Sequence, residues 1–234
     1  MTLGISSLAV VSGAPAPYVP LASVSDLVAG LPAARIASSG IPAEHLLVLS
    51  PTDLSAGADV SASVLASVGF AEEPLFLVRS GPLRDTMVAA LARLVHESGW
   101  LGEEVGITHL DELGGTVVFD LLSWAVSSSA TVVICDEPLF ADARGGAGFS
   151  AVGLRVTHGR APLRVLASGE GPPPSFAGHY FVGAGPCDAW IALHSALAAD
   201  DVADGDSILL HAKGPNREGW LTLAATDLSS LQCR

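Results

Sequence analysis

The residue types best suited to covalent chemistry are three cysteines, Cys135, Cys187 and Cys233. Cys187 is the only one near the start of a predicted helix, between Pro186 and Asp188. A thiol there is a candidate nucleophile, because the positive end of a helix dipole favours the thiolate. Asp188 acts in the opposite sense and raises a neighbouring thiol's pKa, so a small residue at a helix entry is the stronger reading. Cys135, inside the apolar run VVICDE, reads as a core thiol. His179, in GHYFVG, is a candidate general base, with a structural histidine in a turn as the alternative.

His109, Asp111 and Glu112 bring metal-ligating types together. A strand end alternates its side chains, and no second histidine follows at helical spacing, so they read as solvated loop charges. Gly145, Gly146 and Gly148 lead into a strand, which leaves no helix N-terminus to hold a phosphate; a tight bend accounts for them. No metal and no cofactor is expected. Trp124, Trp190 and Trp220 read as core or interface residues.

The elements that position these residues follow from period and punctuation. Strands are predicted at Leu3 to Val11, His45 to Ser50, Pro74 to Arg79 and Val105 to Leu110. Helices are predicted from Asp59 to Phe70 and from Asp85 to Gly99, whereas Asp26 to His45 is ambiguous. Leu113 to Glu137 reads as a helix starting on small residues and running into a buried strand, and residues 145 to 159 as a glycine bend entering another strand. Beyond Arg160 the pattern repeats in part. A strand in APLRVLASGEG, a helix from Pro186 to Ala199, and strands in SILLHAKG and Gly219 to Asp227 complete the chain. Alternating strands and helices indicate a layered α/β fold.

Composition narrows the class. Of 234 residues, 50% are hydrophobic and 15% charged, a balance that builds a large core. The net charge of −13, with a single lysine, Lys213, excludes nucleic acid as a partner and repels an acidic carrier protein. Apolar runs fall short of the roughly 20 residues a membrane span needs. The start lacks the basic region of a signal peptide, and the odd, scattered cysteines suggest no disulfide framework, so a cytoplasmic protein is expected.

In order and motif the chain resembles the ketosynthase III group of the thiolase-like superfamily. The likeness rests on the apolar helix and strand of residues 113 to 137, the glycine-entered strand after it, and IALHSALAADDVADGDSILLHAKG followed by GWLTLAA. The resemblance implies an αβαβα sandwich of two similar halves, here a complete N-terminal repeat (residues 1–160) and a shortened C-terminal one (161–234). It also implies a cysteine at a helix start, a histidine and an asparagine. The cysteine position falls on Gly114 or Gly115, the asparagine falls near Gly183, and the histidine segment has no room between Ser168 and His179.

A condensing enzyme needs these parts together. The resemblance therefore implies a non-catalytic subunit whose partner is a ketosynthase III-type catalytic chain in a heteromer, or a second copy in a homodimer. Acyl thioester or acyl carrier protein would be met through that partner, in fatty-acid-like, polyketide or other secondary-metabolite biosynthesis. The alternative is a small stand-alone acyltransferase or thioester hydrolase using Cys187 or His179.

Overall fold

The computed structural model describes residues 2–24, 36–37, 39–50, 59–69, 72–80, 87–145, 148–215 and 217–234, with the side chains of residues 87 and 88 excepted. Phe70, Asp85, Gly146 and most of the ambiguous stretch from Asp26 lie outside the described residues.

The strands in chain order are β1 (Leu3–Pro15), β2 (Tyr18–Pro20), β3 (Leu46–Leu49), β4 (Leu75–Arg79), β5 (Glu104–Ile107), β6 (Ser129–Asp136), β7 (Phe140–Asp142), β8 (Gly148–His158), β9 (Leu163–Glu170), β10 (His179–Gly183), β11 (Ser207–Lys213), β12 (Glu218–Ala225) and β13 (Gln232–Cys233). The helices are α1 (Val60–Val68), α2 (Met87–Ser98), α3 (Val118–Ala125) and α4 (Asp188–Ala198). Asp59 caps α1, its carboxylate accepting the Ala62 N–H at 3.0 Å. The predicted inward residues of α1, Val60, Val64, Leu65 and Val68, are all buried.

The topology repeats itself. The N-terminal half-sheet runs β5-β4-β6-β8-β1, with β4 parallel to β5 and β6, and β8 antiparallel to β6 and β1. The C-terminal half-sheet runs β10-β11-β12-β9, with β10 parallel to β11, and β12 antiparallel to β11 and β9. Strand for strand, β10, β11, β12 and β9 match β4, β6, β8 and β1 in order and direction. Only β5 lacks a counterpart, and it is the C-terminal half that is shorter. The halves join where β1 meets β9 antiparallel, Gly4 opposite Arg164 and Ile5 opposite Leu163.

Each half sends one helix into the space between the sheets, α3 before β6 and α4 before β11. Their contact is Phe119 stacked on Trp190 with ring centroids 5.8 Å apart, inside a core built from both sheets, including Leu8, Ile134, Leu154, Leu210 and Leu223. A second core lies on the outer face of the N-terminal half, where α1 and α2 cover Ala9, Leu77, Val133 and Ala151. Burial of this kind contributes about 25 cal/mol per Å² of apolar surface and drives the layering. Around this frame β2, β3 and β7 form a small separate sheet, and β13 pairs parallel with β1.

Local differences from the predicted elements have physical causes. Residues Asp111–Gly115 form a 3-10 turn, and α3 begins only after Val117, because the two glycines are pressed against the α4 entry. Of the tryptophans read as core or interface residues, Trp190 is fully buried and Trp124 is 76% exposed on α3. The strand at His179–Gly183 was not predicted, since its five residues follow a proline-rich breaker.

Candidate functional site

Parallel strands present their carboxyl ends on one side of a sheet, where α/β folds place ligands. Ser80 follows β4, Asp136 ends β6, and Ala184 and Gly185 follow β10; all four line one cleft of about 560 Å³. Its walls include Ile41, Leu139, Phe140 and Pro186, with His109, Asp111 and Glu112 at the side.

Besides Asp111 and Glu112 at the side, two further carboxyl-bearing residues, Asp136 and Asp188, line this cleft. Asp136 accepts the Ser80 hydroxyl at 2.9 Å. Burial pushes its pKa up to about 6, against the Ser80 hydrogen bond and with help from the nearby Asp188 charge. Asp188, in the first turn of α4, accepts the backbone N–H groups of Ala184 (2.9 Å) and Gly185 (2.8 Å) and so ties the β10–α4 loop into a closed turn. Neither Asp136 nor Ser80 was singled out from the sequence. The available signal was an acid ending an otherwise apolar strand, and only the fold brings it beside residues fifty positions away.

The β10–α4 loop occupies the room where the resemblance placed catalytic side chains. A Cβ on Gly115 would stand 1.9 Å from the Pro186 carbonyl oxygen, and one on Gly183 would stand 2.0 Å from the Asp188 Cβ. On Gly185 it would stand 2.4 Å from the Asp136 Oδ2. Gly114 is less confined, with Val78 Cγ1 at 3.2 Å and Pro186 Cβ at 3.6 Å. Glycine here serves close backbone approach, since real Cβ atoms do not come this near. The hydrogen bond from Trp190 Nε1 to the Gly115 carbonyl, 2.7 Å, locks α4 onto the same turn.

Cys187 adjoins the site in sequence but turns away from it. It is wholly buried, its Sγ 3.5 Å from the Ile134 carbonyl oxygen. Burial, reinforced by the Asp136 charge, holds its thiol well above the ordinary range, the reverse of what a nucleophile needs. Cys135 is likewise buried, pushed up to about 12 by desolvation.

His179 lies at the opposite end of β10 from the cleft, roughly 13 Å along the strand. Its Nε2 meets the Asp206 carboxylate at 3.0 Å, and its ring stacks on Phe181. The candidate base is thus held apart from the cleft, in a strand rather than in the turn of the alternative reading.

Among the described residues no group of three or more ligating side chains could hold a metal. Glu112 instead accepts the Arg217 N–H at 3.0 Å and packs against Gly214. Gly145 lies in a turn and Gly148 opens β8, as the bend reading expected. Chemically, the cleft can exchange a proton near pH 6 at Asp136 and receive an apolar group against Leu139 and Phe140. It presents no thiol.

No family model and no curated protein matches this sequence. Solved structures do match its fold. The 3-oxoacyl-(acyl carrier protein) synthase III FabH from Pseudomonas aeruginosa PAO1 is 15% identical, over 97% of this chain and 99% of that one, with a TM-score of 0.58. A variant of OleA from Xanthomonas campestris is 10% identical over 96% and 98% of the two chains, with a TM-score of 0.61. PksG, an HMG-CoA synthase from Bacillus subtilus, is 12% identical over 98% and 81%, with a TM-score of 0.59. The chain thus shares the layered α/β fold of these solved structures. No helix among the described residues is long and apolar enough to cross a membrane.

Proposed function

We propose that this chain is a non-catalytic subunit of ketosynthase III type. It pairs with an active ketosynthase or acyltransferase in fatty-acid-like, polyketide or other secondary-metabolite biosynthesis, completing the interface and shaping the acyl pocket. The observation that carries this reading is the occupied space at Gly115 and Gly183: the α4 entry fills the room a catalytic side chain would need. A chain that merely lost its cysteine would keep that room.

The edge of the N-terminal half supports a partner. β5 is an edge strand with an open backbone ladder, Leu101 just before it is 80% exposed and Val105 on it 39% exposed. Natural proteins seldom leave such an edge bare, because it templates pairing with another chain. The net charge of −13 fits a division of labour in which the partner receives the acidic carrier.

Co-expression with a ketosynthase III that retains its cysteine tests this. Native mass spectrometry is expected to give a 1:1 heteromer, lost on Val105→Lys at the β5 edge. A chain that stays a well-behaved monomer beside every such ketosynthase sinks the reading.

A further inference from the structure

The two half-sheets repeat one another, yet among the described residues only the first is covered by helices on its outer face. There α1 lies so close on β8 that a Cβ on Gly153 would stand 2.5 Å from Val68 Cγ2. The corresponding face of the C-terminal half holds Tyr180, Leu209 and Thr222 in one row and Val182, His211 and Trp220 in the next. Val133 of β6 faces Gly153, whereas on the matching strands β11 and β12 His211 faces Trp220. Where the first half has a glycine under a helix, the second has an indole.

That indole and one phenol roof the middle of the face. Trp220 lies on Gly169, 2.9 Å from where a Cβ would be, and Tyr180 stacks on His211 with centroids 5.9 Å apart. The Tyr180 hydroxyl bonds His211 Nδ1, whose ring meets Glu218 through Nε2 at 3.1 Å. Leu209 and His211 are thereby buried without a helix above them. The roof stops short of the flanks, where Leu166, Tyr180 and Val182 are 49%, 51% and 52% exposed.

Charge marks the two ends of this face. Arg79, Arg93, Arg144, Arg155 and Arg217 are each paired with a carboxylate. Arg164 at one end and Lys213 at the other are exposed and make no ion pair among the described residues, and Arg160 shares a groove with Arg164, Thr226 and Asp227. The acid on the face, Glu218, is engaged by His211. Arg164 is level with Ser207 across β12, six residues before Lys213, so the two cations stand roughly 20 Å apart. A helix of about 14 residues spans that distance.

We propose that the outer face of the C-terminal half docks an amphipathic helix of a partner protein. Its apolar stripe lies on Leu166, Tyr180 and Val182, and its acidic side chains reach Arg164 and Lys213. Among the described helices a second copy of this chain offers a poor occupant: α1 carries no acidic residue and α2, α3 and α4 carry one each, Glu97, Asp120 and Asp188. The face belongs to the half opposite the β5 edge in strand order, so the inference goes beyond the pairing proposed above and does not depend on it.

Fluorescence anisotropy with a labelled 14-residue amphipathic Leu/Glu peptide, at about 14 residues to match the span, tests the proposal. The Leu/Glu peptide is expected to bind at least about tenfold tighter than its Leu/Lys analogue and a scrambled control. Val182→Asp should weaken binding by about tenfold or more, and Arg164→Glu with Lys213→Glu should reverse the charge preference. Thermal melts confirm that each variant is folded, and Leu101→Asp should leave binding unchanged. Absence of binding, indifference to charge, or indifference to Val182→Asp overturns the proposal. So does self-association of the chain that Val182→Asp abolishes, which would make the occupant a second copy. Heteromer formation with a ketosynthase should survive Val182→Asp, which separates this test from that of the β5 edge.

Discussion

Gly115 and Pro186 touch backbone to backbone: a Cβ on the glycine would stand 1.9 Å from the proline's carbonyl oxygen. Seventy residues apart in sequence, they fix the entry of α4 against the turn before α3. Carbonyl oxygens cannot swing aside as a flexible side chain can. Gly115→Ala is therefore expected to destabilise the chain by about 3 kcal/mol, and Gly114→Ala, whose tightest neighbour is the Val78 methyl at 3.2 Å, by about 1 kcal/mol. Denaturant melts of the two variants check the contrast, and equal losses would refute it.

Asp136 gives the stability a pH dependence of definite sign. Folded, it holds its proton up to about pH 6; its ordinary value is 3.8. Between those values the folded chain binds a proton that the unfolded chain has released, so stability falls as pH rises through that window and levels off above it. Asp136→Asn should remove the falling limb and raise stability at neutral pH by about 1–2 kcal/mol. Thermal melts between pH 4 and pH 8, roughly that window with a margin, measure this; parallel profiles for the two proteins would count against it.

Trp190 couples the halves through two contacts, the stack on Phe119 and the hydrogen bond to the Gly115 carbonyl. Trp190→Phe keeps most of the stack and leaves that carbonyl unpaired, at a cost of about 1–2 kcal/mol. Trp190→Ala opens a cavity between α3 and α4 and should cost about 4 kcal/mol. Chemical denaturation with tryptophan-independent circular dichroism reads both.

Thiol labelling separates the three cysteines. Cys233 is exposed, and Cys135 and Cys187 are buried. A thiol reagent should modify Cys233 alone in the folded chain, and the other two only on unfolding. Acyl thioesters should leave Cys187 unlabelled as judged by mass spectrometry; a persistent acyl group there would restore the nucleophile reading.

Much of the fold could be read from period and punctuation. The β4 run LFLVR is buried at every position, and of the four α4 residues whose spacing points inward, Trp190 and Leu193 are buried and Ile191 and Leu197 partly so. The site was less legible. His179 reads from the sequence as either a base or a structural histidine, because strand direction decides which end of β10 meets the cleft, and direction is not encoded in a five-residue run. Asp136 looked like a strand terminator until β10 brought Gly185 and Asp188 beside it. The glycines at 114, 115 and 183 suggest missing side chains; the close packing of the α4 entry against 115 and 183 is a tertiary fact.

The thirteen residues of β1 sit at the seam of the two half-sheets, paired with β8 on one side and β9 on the other. These partners begin only at Gly148 and Leu163. On a ribosome adding about 5–20 residues per second, LGISSLAVVSGAP would therefore emerge on the order of 10 s before any strand able to pair with it. Such long-range pairing makes folding slow and leaves an apolar strand unshielded in the meantime. Nascent-chain handling, rather than the stability of the finished sandwich, is where this architecture is most exposed to failure.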